Sequence, residues 1–158
     1  LKDLFVHTLQ DVYYAEQRIM ESLPMMIEKA ETNELRNVLN AHLAETEKQI
    51  QRLDEVFELV DETPSTEECE AVDGLLEEAE EVMSEIDDKS VLDAGIIAAG
   101  QAVEHYEIAR YGTLIAWADQ IGLSQAKGLL EQTLEEEKRA DKLLTEVALQ
   151  NVNREAAE

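Results

Sequence analysis

The chain has one cysteine among its 158 residues, Cys69, so no disulfide can close within it. A lone thiol fits a reducing compartment, and the expected location is the cytoplasm. No Cys–His motif suggests a nucleophile, so Cys69 reads as packing. Proline occurs twice and glycine six times, too rarely for collagen-like or low-complexity architecture. Aromatic residues make up 4%, and no segment alternates β-branched or aromatic residues with polar ones, which excludes a β-rich fold. No apolar run reaches the ~18 residues that a transmembrane helix needs. The first ten residues, Leu1 to Gln10, lack the basic-then-apolar plan of a signal peptide. The chain starts without an initiator methionine, which suggests trimming.

Positive charge is also scarce. Thirteen basic residues face 37 acidic ones, a net charge of −24. Such a surface repels nucleic-acid phosphates and anionic lipid, so neither nucleic acid nor membrane is an expected partner. It attracts cations. The plainer reading is a strongly solvated surface, or one suited to high salt, where dense carboxylates are screened.

What the chain does contain is alanine, leucine, glutamate and glutamine, all strong helix formers, in long amphipathic stretches. A first helix is predicted from about Lys2 to Ala30, with Phe5, Leu9, Val12, Ile19, Leu23 and Ile27 on one stripe and a kink at Pro24. Thr32 and Asn33 can cap a second helix from about Glu34 to Val60, with Leu35, Val38, Leu39, Leu53, Val56 and Val60 inward. Residues 61–66 read as a loop, followed by a shorter helix from about Glu67 to Ile86 and a break at 87–90. Two more long helices are expected, Val91 to Gln120 and Ser124 to Asn151, separated at Gly122 and followed by a frayed tail. Ile96, Ile97, Val103, Leu114 and Trp117 are expected in the core of the former, and Leu129, Leu130, Leu134, Leu144 and Val147 in that of the latter.

The expected fold is therefore all-α. One domain, 1–158, would hold two helical hairpins, 1–60 and 91–152, joined by a long crossover, 61–90, with its own helix. A short turn, one long crossing and a short turn is the wiring of a ferritin-like four-helix bundle.

A shift of 91 positions aligns the two hairpins. Val12 falls on Val103, Leu23 on Leu114, Leu43 on Leu134 and Leu53 on Leu144. The same shift puts Glu16 on Glu107 and Glu45 on Glu136. Glu16 and Glu45 are equidistant from the first turn, between Ala30 and Glu31. Glu107 and Glu136 are equidistant from the second, between Ile121 and Gly122. At 1.5 Å per residue all four lie about 22 Å from their turns, at one level near mid-bundle. Glu16 and Glu107 continue apolar stripes, and Glu45 shares a face with Val38, His42, Gln49 and Leu53. On the last helix Glu136 and Glu137 both continue an apolar series; the repeat favours Glu136.

Four carboxylates buried together need protons or cations, because each buried ion costs several kcal/mol and like neighbours add to it. Two divalent ions match the charge of four carboxylates, the di-iron or di-manganese arrangement of facing helices. The candidate metal residues are Glu16, Glu45, Glu107 and the Glu136/Glu137 pair, with His42 either a ligand or a residue behind the ligands and Glu104 either an extra ligand or a solvent-facing charge. His105 reads as structural or as a residue behind the ligands, Asp141, four residues after Glu137, as a partner behind that ligand or as part of a helix-surface charge ladder, and Tyr13, Tyr14 and Tyr106 as packing residues. The usual Glu-x-x-His motif is missing: Lys48 follows Glu45 by three and Arg139 follows Glu136 by three. The site would be dominated by carboxylates.

The strings Tyr14-Ala15-Glu16-Gln17, Ala41-His42-Leu43-Ala44-Glu45-Thr46, Val103-Glu104-His105-Tyr106-Glu107-Ile108-Ala109 and Leu134-Glu135-Glu136-Glu137-Lys138 resemble the YciE/YciF family of ferritin-like proteins over nearly the whole chain. The resemblance implies a ferritin-like fold, a homodimer and a stress-response role, with a ferroxidase label attached to many members. It carries metal-ligand status onto Glu16, Glu45, Glu107 and Glu136/Glu137. Two functions from different classes are expected: an oxidoreductase whose iron or manganese centre handles oxygen, peroxide or Fe(II), or a metal-binding structural stress protein without turnover. A third reading is a metal-free helical dimer with protonated glutamates.

Overall fold

The computed structural model describes residues 1–158. It is entirely helical: α1 (Lys2–Lys29), α2 (Asn33–Leu59), α3 (Glu70–Glu85), α4 (Lys89–Gln120) and α5 (Ser124–Val147), then a π-helical turn (Ala148–Val152) and a last helical turn (Asn153–Glu155). The long helices pack in a ring, α1 on α2, α2 on α5, α5 on α4 and α4 on α1, while α3 lies across α1 and α4. Helix α1 runs through the exposed Pro24 without interruption. The crossover helix begins three residues later than its composition suggests, because residues 62–69 remain non-helical and the helix starts only after Cys69.

The turns explain why the chain folds back where it does. Between α4 and α5, Gly122 has φ +78°, and the Leu123 N–H bonds the Ala118 carbonyl at 2.8 Å. This is the Schellman stop that glycine makes inexpensive. The α1–α2 turn is held from a distance. Asp93 on α4 is buried, and its carboxylate accepts from the Glu31 N–H at 2.7 Å and the Thr32 N–H at 2.9 Å. One side chain thus satisfies two backbone donors and ties the first hairpin to the second.

Helix α3 lies close on α4 at Gly95, where a Cβ would come within 2.7 Å of Val82 Cγ1. The inward stripe of α5 is Ala126, Leu130, Thr133, Glu137, Ala140 and Leu144, spaced by three and four throughout. Leu129, Leu134 and Val147 are consequently only half-buried, as are Ile27, Val38 and, on α4, Trp117, whose neighbour Ala118 takes the buried place.

The core is divided in two. One apolar cluster joins the ends of α1 and α5, the start of α2, the first part of α4, and α3, through residues such as Leu23, Leu35, Leu76, Ile96 and Leu144. The other joins the opposite ends of the four long helices, through Phe5, Leu9, Val56, Phe57, Leu114 and Leu130. Between them lies a polar layer.

Replacing Asp93 by alanine leaves two partly buried N–H groups without their acceptor, each costing up to about 1–3 kcal/mol. The Asp93→Ala variant should therefore lose about 2–4 kcal/mol in urea unfolding. A loss within ~0.5 kcal/mol would show that Asp93 does not hold the turn.

Candidate metal centre

The polar layer is built by four helices. Helix α1 contributes Glu16, α2 contributes His42, Thr46 and Gln49, α4 contributes Glu104, Glu107 and Tyr111, and α5 contributes Thr133 and Glu137. Each lies on the same stripe as its helix's apolar residues, so helix geometry alone carries it inward. All nine are at most 5% exposed, which is rare for glutamate without a partner.

His42, Glu104, Glu107 and Glu137 each present a ligand atom, and these atoms lie within 4.8 Å of one another, a grouping that could hold a metal ion. His42 Nε2 is 3.3 Å from Glu104 Oε1 without hydrogen-bond alignment. Glu16 adjoins this group, and the Tyr111 hydroxyl donates to it. Gln49 Nε2 donates to Glu137 and, at 3.1 Å, to Glu136.

Protein partners do not exhaust the layer. Glu16 Oε2, both His42 nitrogens, Gln49 Oε1, Glu104 Oε2, both Glu107 oxygens and Glu137 Oε2 are buried without a hydrogen bond. Each such atom costs about 1–3 kcal/mol, so eight together would consume a typical stability margin of ~5–15 kcal/mol. Oxygen-rich donors with one imidazole, converging and unspent, suit a hard or borderline divalent cation.

Electrostatics point the same way. Burial lifts the Glu16 carboxyl well above its ordinary 4.5, and the Glu137 charge adds to it. Burial, then Glu137, lifts Glu104, and burial, then Glu16, lifts Glu107. Tyr111 is raised by burial and by Glu16, so its phenol keeps its proton and donates it.

Two expected residues stand elsewhere. Glu45 is half-buried and pairs with Arg139 of α5. Glu136 is held by Arg52 of α2 through two contacts of 2.7 Å. Burial works to raise the Glu136 carboxyl, but those bonds outweigh it and leave it lowered. The repeat does give Glu45 and Glu136 equivalent places, each facing an arginine across the α2–α5 seam. Both helices are rotated so that the next inward position, not this one, meets the layer: Thr46 on α2 and Glu137 on α5. The structure thus corrects the inward assignment of Glu45 and Glu136, and turns His42 and Glu104 inward with Glu16, Glu107 and Glu137.

The remaining candidates lie outside. His105 is largely exposed, 3.3 Å from Asp141. Tyr13 donates to Asp54 and Tyr14 to Asp73, while Tyr106 contacts Cys69 at 3.1 Å. Sequence reasoning missed Tyr111, although it follows Glu107 by four residues and so shares its face. It noted Gln49 only as a neighbour of Glu45; its two-carboxylate contact depends on α5 packing and has no local signal.

A buried carboxylate–histidine cluster inside a helical bundle defines the class: a helical protein with a site able to hold a metal ion. The particular family follows from comparison. Residues 1–157 match the family described as a domain of unknown function, DUF892. Protein YciF of Escherichia coli K12 is 43% identical over 157 residues, covering 99% of this chain and 95% of that protein. The crystal structure of YciF, described as an E. coli stress protein, superposes with a TM-score of 0.92 at 44% identity, covering 96% of each chain. YcfI of Rhodopseudomonas palustris, thought to be a structural protein, gives 0.90 at 53% identity over 91% of this chain and 92% of its own. The chain belongs to this family, the one its Val-Glu-His-Tyr-Glu string resembles.

The raised carboxyls set a pH dependence. Above their unfolded value near 4.5, the metal-free native state holds protons that the unfolded chain releases. Its stability should then fall as pH rises above that value. Divalent metal competes with those protons, so its stabilisation should grow over the same range. Thermal midpoints measured across pH, with and without metal, check both signs; a flat metal-free profile would contradict the buried cluster.

Proposed function

We propose that this protein is a ferritin-like di-metal carboxylate protein, which binds two divalent ions, iron or manganese, and oxidises Fe(II) or handles oxygen or peroxide in stress protection. In this reading residues 1–158 form one four-helix-bundle domain of hairpins 1–60 and 91–152 with crossover 61–90. The observation that carries it is the set of buried, partnerless donor atoms on Glu16, His42, Glu104, Glu107 and Glu137.

Glu107 and Glu137, which group with His42 and Glu104 and also interact with Glu16, would hold the metal together with those three residues. Four carboxylates balance two divalent charges, and a single imidazole keeps the site oxygen-rich, as iron and manganese prefer. Bound metal would supply electrons to a small oxidant. The chain's own residues orient the ligands: Tyr111 fixes Glu16, and Gln49, anchored on the Arg52–Glu136 pair, fixes Glu137. Glu45 and Glu136 act here as the salt-bridged frame of the site.

The same reading includes a cytoplasmic homodimer that interacts with metal ions and small oxidants, not with nucleic acid or membrane. The net charge of −24 supports the exclusion of phosphates and anionic lipid. No helix is long and apolar enough to cross a membrane. Exposed Leu143 and Leu149 near the C-terminus offer apolar surface for a second subunit. A second reading, a metal-binding structural stress protein without turnover, draws on the description of YcfI.

Elemental analysis after chelator-free purification should find about two metal ions per chain. Fe(II) oxidation or peroxide consumption should fall at least about tenfold in the Glu16→Ala/Glu107→Ala double variant. Bound metal with equal rates in both proteins would favour the structural reading, and no metal at all would discard both.

A further inference from the structure

Beside the cluster lies a cavity of about 20 Å³. Leu23, Leu39, Leu76 and Leu144 bring walls from α1, α2, α3 and α5. Ser22, His42 and Glu104 supply its only polar side chains. The space exceeds the ~10–15 Å³ that one water requires, yet a buried water also needs two to four hydrogen-bonding partners. His42 and Glu104 turn their polar atoms into the cluster, so the surface that faces the cavity is almost wholly apolar. Apolar cavities of this kind stay dry and take up apolar gases.

The void follows from the sequence. Ala79 on α3, Gly100 on α4 and Ala140 on α5 put little or no side chain where the leucines would otherwise meet. At Gly100 even a methyl group would come within 3.3 Å of Leu144 Cδ1.

We propose that this cavity is a binding site for one molecule of dioxygen, held on the His42–Glu104 side of the cluster. The proposal rests on the oxygen-handling reading above and narrows it, selecting the oxidant on this side by polarity and size. Hydrogen peroxide carries two O–H donors that these walls cannot satisfy, so its desolvation would go uncompensated. A small organic substrate is too large for the space. Dioxygen is apolar, needs no hydrogen bond and is small enough to fit.

Xenon tests the site without metal and without turnover. Crystals of the metal-free full chain under xenon pressure should show one xenon between Leu23, Leu39, Leu76 and Leu144. The Ala79→Leu variant should abolish it, and Leu76→Ala should raise its occupancy, so one variant reports even if the other folds poorly. In the iron-loaded protein, Ala79→Leu should raise severalfold the oxygen concentration that gives half-maximal Fe(II) oxidation. An ordered, hydrogen-bonded water in the cavity, or no xenon there in the wild-type chain, would overturn the proposal. Xenon binding in a protein that oxidises nothing would leave the gas site standing and remove the oxidation reading. Oxidation without xenon would do the reverse.

Discussion

Four carboxyl groups share one small buried space, and the rest of the structure is arranged around that constraint. Most of the chain's negative charge lies at the surface, where water and salt weaken repulsion between neighbours. Glu16, Glu104, Glu107 and Glu137 have no such relief. The phenol of Tyr111 and the amide of Gln49 each offset one of them by a hydrogen bond, and neither brings a positive charge. The guanidiniums of Arg52 and Arg139 are already committed to Glu136 and Glu45. The balance must come from protons or cations, and the orphaned lone pairs set the terms on which a cation would enter.

The all-helical class, the long helices and the presence of a crossover helix were legible because apolar spacing and capping residues are local properties. Glu16 and Glu107 were also placed inward by the stripes on which they sit. Helix α5 was harder. Leu129–Thr133–Glu136–Ala140 and Leu130–Thr133–Glu137–Ala140 are both acceptable helical series, and only packing against α2 selects the second. On α2, His42 and Glu45 differ by three positions, nearly one turn, yet His42 is buried and Glu45 is drawn out to Arg139. A partner 94 residues away leaves no trace in local periodicity. Tyr111 was visible in principle, four residues beyond Glu107, but a tyrosine on an apolar face reads first as packing.

The two hairpins are related without being equivalent. The 91-residue shift sets Glu16 opposite Glu107, but it also sets Thr46 opposite Glu137 and His42 opposite Thr133. All six are buried in the layer. One hairpin therefore supplies a carboxylate and an imidazole, and the other supplies three carboxylates. A symmetric repeat would have placed matching donors on α2 and α5. Here α2 contributes its imidazole on the side of the dry cavity and its amide on the side of Arg52, so the two flanks of the cluster differ in chemistry.

The division of the hydrophobic core into two clusters has a consequence for assembly. Leucine-rich helices can slide past one another by a turn, about 5.4 Å, and still bury apolar surface. In this chain such a slip would press Glu16 or Glu137 against a leucine layer and separate each from its donor, at a cost of several kcal/mol. The hydrophilic stratum therefore works as an axial lock. It sacrifices some adhesive strength at the centre so that the four rods have one vertical alignment.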